Sequence, residues 1–153
     1  MDMFQSEKNL LEKLADAIPG LKGYREKEAR RDTDKRFREY LAGRIEAASE
    51  PIEEAKRQKL NEGRIEGLDD LDRLAQKLFK IANSIRHASY GYSGFFDQLK
   101  IEEAELDRLY QYDLSLISDV EALEKCTPAE WEEKISTLEK RVEERKNLFT
   151  VAG

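Results

Sequence analysis

The run from Phe37 to Ala55 constrains this chain more than any other: Phe37, Leu41, Ile45, Ala48, Ile52 and Ala55 recur at steps of 4, 4, 3, 4 and 3. Alternating threes and fours return an apolar side chain to one face of a helix, whereas a strand needs a period of two. The spacing predicts a long helix, starting between Tyr24 and Arg31, whose seam must be covered by another element. Pro51 falls inside it, and a proline ring costs a helix interior about 3 kcal/mol through a carbonyl clash and a lost N–H. Because the seam stays in phase across Pro51, a kinked continuous helix is favoured over a break. Ser49 as an N-cap, followed by Glu50, Glu53 and Glu54, argues for the break.

The same periodicity recurs along the chain. Leu10, Leu11, Leu14 and Ile18 predict a short helix from Ser6 to Ile18, stopped by Pro19 and Gly20. The stretch "GRIEG" between Gly63 and Gly67 reads as a connection, after which Asp69 or Asp70 caps a helix with Leu71, Leu74, Ala75, Leu78, Ala82 and Ile85 on its core face. Gly91, which has no Cβ to clash in a left-handed C-cap, is the expected end of that helix, and Ser93 opens a short turn from Gly94 to Leu99. A further helix begins with Glu102, Glu103 and Glu105 and carries Leu106, Leu109, Tyr110, Leu116, Ile117, Val120 and Leu123. In "CTPAEWEEKI", Thr127 as N-cap, Pro128 in the first turn and Glu130 three residues after the cap form a capping box. Trp131, Ile135, Leu138, Val142 and Phe149 then hold a heptad-like seam in which Arg145 is the one charged position.

Short connections between amphipathic helices imply an all-α fold: an antiparallel up-down bundle of four main helices plus a short N-terminal one, in a single domain spanning residues 1–153. Composition agrees, since 39% of residues are charged and only three are proline, the balance of long helices and coiled coils. Cys126 is the lone cysteine, which excludes a disulfide framework and a cysteine-based zinc site. No apolar run approaches the roughly 20 residues of a membrane span, and the start "MDMFQSEKNL" lacks the regions of a signal peptide, so a cytoplasmic protein is expected.

The net charge of −6 is unevenly spread: Lys22 to Arg44 holds nine basic and five acidic residues, and Asp97 to Asn147 eight basic and fifteen acidic. The two zones attract each other within the fold or are simply solvated; alternatively the basic zone holds phosphates of nucleic acid or an anionic membrane surface. Its five interleaved acids weaken that field, and i,i+4 pairs such as Lys35 with Glu39 account for much of the same pattern.

Catalytic signatures are absent from the sequence. A di-iron carboxylate centre needs two Glu-x-x-His pairs, and here Ser84 stands three residues before the only histidine, His87. No glycine pattern matches a phosphate loop or a dinucleotide fingerprint. Cys126 precedes a helix start whose amide dipoles favour a thiolate, but no base accompanies it. No metal and no cofactor is implied.

Two features remain as site candidates. Asp113 lies in phase with the apolar stripe of its helix, where a charge is expensive unless paired. It is either an acid or base in a cleft or, with more weight, a packing partner for Arg86, His87, Arg36 or Arg38. The stretch "RHASYGYSGFFD" places Tyr90, Tyr92, Phe95 and Phe96 beside His87, either lining a pocket or, with more weight, plugging a bundle end.

The segments "PGLKGYREKEARRDTDKRFREYL" and "GYSGFFD…LDRLYQYDLSL" resemble a group of small all-helical proteins of prokaryotes. The resemblance spans Pro19 to about Val120 and implies a common helical domain with no catalytic residues to carry over. It further implies that Lys22 to Arg31 and Arg86 to Asp97, with Asp113, belong to one surface.

The functional expectation is a non-enzymatic interaction or scaffold protein, binding another protein or self-associating along a helical seam. Second comes an anionic-surface binder using Lys22, Arg25, Lys27, Arg30, Arg31 and Arg36, with Tyr24 on the same candidate interaction surface. Third is a small-ligand site or enzyme built on Asp113, His87 and Tyr92.

Overall fold

A computed structural model describes residues 30–87 and 103–147, which are helical apart from short turns and contain no strand. The elements are α1 (Arg30–Ala47), α2 (Glu50–Asn61), α3 (Leu68–Arg86), α4 (Glu103–Lys125), a 3₁₀ turn (Pro128–Glu130) and α5 (Trp131–Asn147). The short N-terminal helix, the turn from Gly94 to Leu99 and Phe149 lie outside the described residues, as do the side chains of Leu106, Leu109 and Tyr110.

The seam along α1 and α2 is buried as its spacing requires: Phe37, Leu41, Ile45, Ala48 and Ile52 are all core residues. Pro51, however, splits the expected continuous helix into α1 and α2, because the missing N–H interrupts the ladder across Ala48 and Ser49. The interruption is narrow. Ser49 keeps right-handed helical dihedrals, its N–H bonds the Glu46 carbonyl at 3.1 Å, and the Glu53 N–H bonds the Ser49 carbonyl at 2.9 Å. Ser49 occupies the N-cap position of α2, as the alternative reading of a break expected, but its hydroxyl donates backwards to the Glu46 carbonyl at 2.6 Å and makes no capping bond to α2.

Three further boundaries differ from expectation. Helix α3 starts at Leu68 with Gly67 as its N-cap residue, not Asp69 or Asp70, which instead place two negative charges in its first turn. Gly67 takes φ 80°, a conformation that glycine adopts without steric penalty, and the Lys59 ammonium closes the turn on the Glu66 carbonyl at 2.6 Å. Helix α3 also ends at Arg86, before the expected Gly91, with His87 as C-cap residue. There the Arg38 guanidinium of α1 donates to the last carbonyls, Arg86 at 2.9 Å and Ile85 at 3.4 Å, supplying the partners a helix end lacks. At the other end of the chain, Thr127 is extended as expected, and the Glu130 carboxylate reaches back to its N–H at 3.4 Å and its hydroxyl at 2.9 Å. The first turn after it is 3₁₀, and α-helix proper begins at Trp131.

One core joins the four longer helices. Leu41 and Ile45 of α1, Leu78 and Ile85 of α3, Leu116 and Val120 of α4, and Ile135 and Leu138 of α5 are at most 1% exposed. Each such aliphatic side chain stabilises the fold by about 1.5–3 kcal/mol relative to exposure. Polar contacts record which stretches meet. Between α1–α2 and α3, Arg86 meets Glu39 at 3.2 Å and Lys56 meets Asp72 at 2.7 Å. Between α4 and α5, the Tyr112 hydroxyl donates to the Arg141 carbonyl at 2.6 Å, and Arg141 meets Asp119 at 3.0 Å. Between α3 and α5, Arg73 meets Glu132 at 2.8 Å and Lys77 meets Glu139 at 3.5 Å.

Candidate functional site

Among the described residues, two helices carry one charged residue each inside an otherwise apolar buried stripe. On α4, Asp113 precedes Leu116, Ile117, Val120 and Leu123; on α5, Arg145 follows Trp131, Ile135, Leu138 and Val142. Their side chains are 4% and 1% exposed, deep enough that separate ions there would be prohibitive. They meet each other. Arg145 Nε donates to Asp113 Oδ1 at 2.7 Å and Nη2 reaches Oδ2 at 3.3 Å, a two-point contact matched to the planar guanidinium. The Phe37 ring of α1 lies under the same guanidinium, 5.2 Å from its carbon, within cation–π range. The predicted cost of a core charge is therefore met, but in these bonds by Arg145 and not by Arg86, His87, Arg36 or Arg38, the partners expected for Asp113.

Those four residues sit elsewhere. Arg86 pairs with Glu46 and Glu39 of α1, and the bond to Glu46 before that to Glu39 holds its guanidinium above its ordinary pKa. Arg38 caps α3, Arg36 is exposed, and His87 is exposed at the C-terminus of α3. Asp113 is buried in the core, and the segment after His87 with which the resemblance grouped it lies outside the described residues. Lys22, Tyr24, Arg25, Lys27, Tyr90, Tyr92, Phe95 and Phe96 lie outside the described residues, and the side chains of Arg30 and Arg31 do as well.

An expected attraction between the basic and acidic zones appears in a cross-helix contact among the described residues. Arg44 of α1 chelates Glu124 of α4, with Nε at 3.3 Å from Oε2, and Tyr40 supports the same guanidinium at 3.1 Å. Glu124 and then Tyr40 raise the Arg44 pKa. Arg38 and Arg44 thus spend their charge within the fold. Cys126 departs from the thiolate reading: burial pushes its thiol pKa up, neighbouring Glu130 adds to this, and Sγ donates to the Leu123 carbonyl at 3.1 Å.

A second cluster, which sequence reasoning missed, flanks the ion pair on the α4–α5 face. The Tyr112 hydroxyl also contacts Glu144 at 3.1 Å, the Arg141 guanidinium lies 4.7 Å from the Tyr112 ring centroid, and Arg141 also bonds Ser115. Burial, followed by the bond to Glu144, pushes the Tyr112 pKa up to about 12. The only advance signal was the i,i+3 spacing of Tyr112 and Ser115 beside the core stripe.

A groove of about 580 Å³ runs between α3 and α5. Ile81 and Val142 form its apolar floor, Ser84 and Asn147 supply hydroxyl and amide groups, and Lys80, Lys140 and Lys146 alternate with Glu139, Glu143 and Glu144 along its rim. Neither Asp113 nor Arg145 lines it. Among the described residues no cluster of histidine, cysteine and carboxylate side chains could hold a metal ion, and no helix is long and apolar enough to cross a membrane. No family model, curated protein or solved structure matches the chain.

Proposed function

We propose that this chain is a non-enzymatic, cytosolic helical bundle that binds another protein, and that the groove between α3 and α5 is its docking surface. The architecture behind the proposal is an up-down bundle. Contacts that descend on one side as they ascend on the other, Glu39–Arg86 then Lys56–Asp72, and Tyr112–Glu144 then Asp119–Arg141, support α3 antiparallel to the α1–α2 segment and an antiparallel α4–α5 pair. The contacts Arg73–Glu132 and Lys77–Glu139 ascend together and support parallel α3 and α5.

The observation that carries the functional reading is the separation of the core charge from the groove between α3 and α5. Asp113, the one residue placed by sequence as an acid or base, has both carboxylate oxygens on Arg145 and does not line the groove. The groove itself offers an apolar floor with a rim of balanced charge, which fits a partner surface of mixed charge around aliphatic side chains better than a polyanion. Tagged full-length protein recovered from its own cells, beside the groove-filling variant Ser84→Trp, tests the reading. A co-purifying protein retained by the wild type and lost with S84W supports it; identical recovery by both, or recovery of nothing, overturns it.

A further inference from the structure

We propose that the Asp113–Arg145 pair is a register lock: it selects one alignment of α4 against α5 from several that apolar packing alone would accept. The apolar residues of both stripes repeat at three and four, so displacing one helix by a turn, about 5.4 Å, again sets aliphatic side chains against aliphatic side chains. Leu116, Val120 and Leu123 would still meet members of the series Trp131, Ile135, Leu138 and Val142. Within the buried stripes, only the charged positions distinguish the alignments. Asp113 and Arg145 each occur once in their stripes, and a one-turn slip withdraws the carboxylate from a guanidinium it now holds at two points. A buried polar pair that fixes register in this way is the best-attested use of such groups. The stacking on Phe37 extends the selection to α1, because the guanidinium reaches that ring only in the observed alignment.

The contacts beside the pair supply no equivalent constraint: the Tyr112 hydroxyl bonds the Arg141 carbonyl at 2.6 Å, but backbone carbonyls recur at every turn of α5, so a one-turn slip offers it another. Lys146–Glu143 lies within α5, and Arg141–Asp119 has both side chains more than a quarter exposed, long and screened enough to follow a shift. The lock is independent of whether the groove binds anything, since it is read in purified protein.

The test uses the full chain with Cys126→Ser and spin labels on the exposed positions Ala122 of α4 and Lys140 of α5, with and without the apolar pair D113L/R145M. Pulsed dipolar spectroscopy should give one narrow label–label distance with Asp113 and Arg145 present. In the double variant, a second label–label distance, differing from the first by up to about 5 Å and comprising on the order of a tenth of the molecules, is expected. A single unchanged distance in the folded double variant overturns the lock. The smaller pair D113V/R145L guards against failure through overpacking. If neither double variant folds, the pair holds the core together instead of selecting its alignment, and the proposal also fails.

Discussion

Replacing Asp113 with alanine removes one half of a pair whose side chains are 4% and 1% exposed and leaves the Arg145 guanidinium in the core beside Phe37. The magnitude follows from that burial. Breaking a buried pair by deleting one partner costs about 3–5 kcal/mol, whereas exposed pairs are worth about 0–1 kcal/mol. Arg57–Glu54, with side chains 52% and 54% exposed, therefore serves as an internal control. For a chain of this size about 2–4 °C of Tm accompanies each kcal/mol, so Asp113→Ala should lower Tm by roughly 6–20 °C and Glu54→Ala by only a few degrees. Circular dichroism during thermal unfolding, with urea titration for the free energy, measures both. Losses of similar size in the two variants, or a loss below about 1 kcal/mol for Asp113→Ala, would refute the reasoning, because a carboxylate that can be deleted at surface cost is not buried against a guanidinium.

Other perturbations test the packing and the electrostatics separately. Leu78→Ala empties a fully buried position where α3 meets the core and should cost about 2–5 kcal/mol in urea titration, while the same change at exposed Leu60 should cost little. Gly67→Ala should destabilise by about 1–2 kcal/mol, because φ 80° strains an L residue; the new Cβ also lies 3.2 Å from the Lys59 ammonium, the end of a flexible side chain that must shift on its bond to the Glu66 carbonyl. The Tyr112 phenol, with its pKa pushed up to about 12, favours the neutral form in the folded protein, so its contribution is complete below the unfolded value near 10 and is lost as pH rises through 12. Ultraviolet difference titration should show one tyrosine ionising late, and Tyr112→Phe should abolish that late step; its persistence would contradict the assignment.

How much was legible beforehand depended on the range of the interaction. Helices declared themselves through local spacing: Phe37 to Ile52, Leu74 to Ile85, Leu116 to Leu123 and Trp131 to Val142 are buried where the threes and fours put them. Boundaries set by distant groups were not legible. The end of α3 at Arg86 carries a cap from Arg38, 48 residues away in sequence, and nothing near Gly91 signals it. The start at Gly67 turns on a left-handed dihedral closed by Lys59, a contact that the acidic residues after it do not reveal. For the site, the spacing marked Asp113 and Arg145 as charged seam positions separately, but their meeting depends on how two helices align, which no single-helix pattern contains. The groove was invisible for the same reason: it exists only where Lys80 and Ser84 face Lys140 and Val142.

The most direct measurement of the central claim, that the groove between α3 and α5 receives a partner protein, is in-cell photocrosslinking. A photoreactive residue replaces Lys140 on the groove rim in one sample and exposed Glu121 of α4, which does not line the groove, in another. The account predicts a discrete protein adduct from position 140 and none from 121. Equal adducts from both positions, or none from 140, would contradict it.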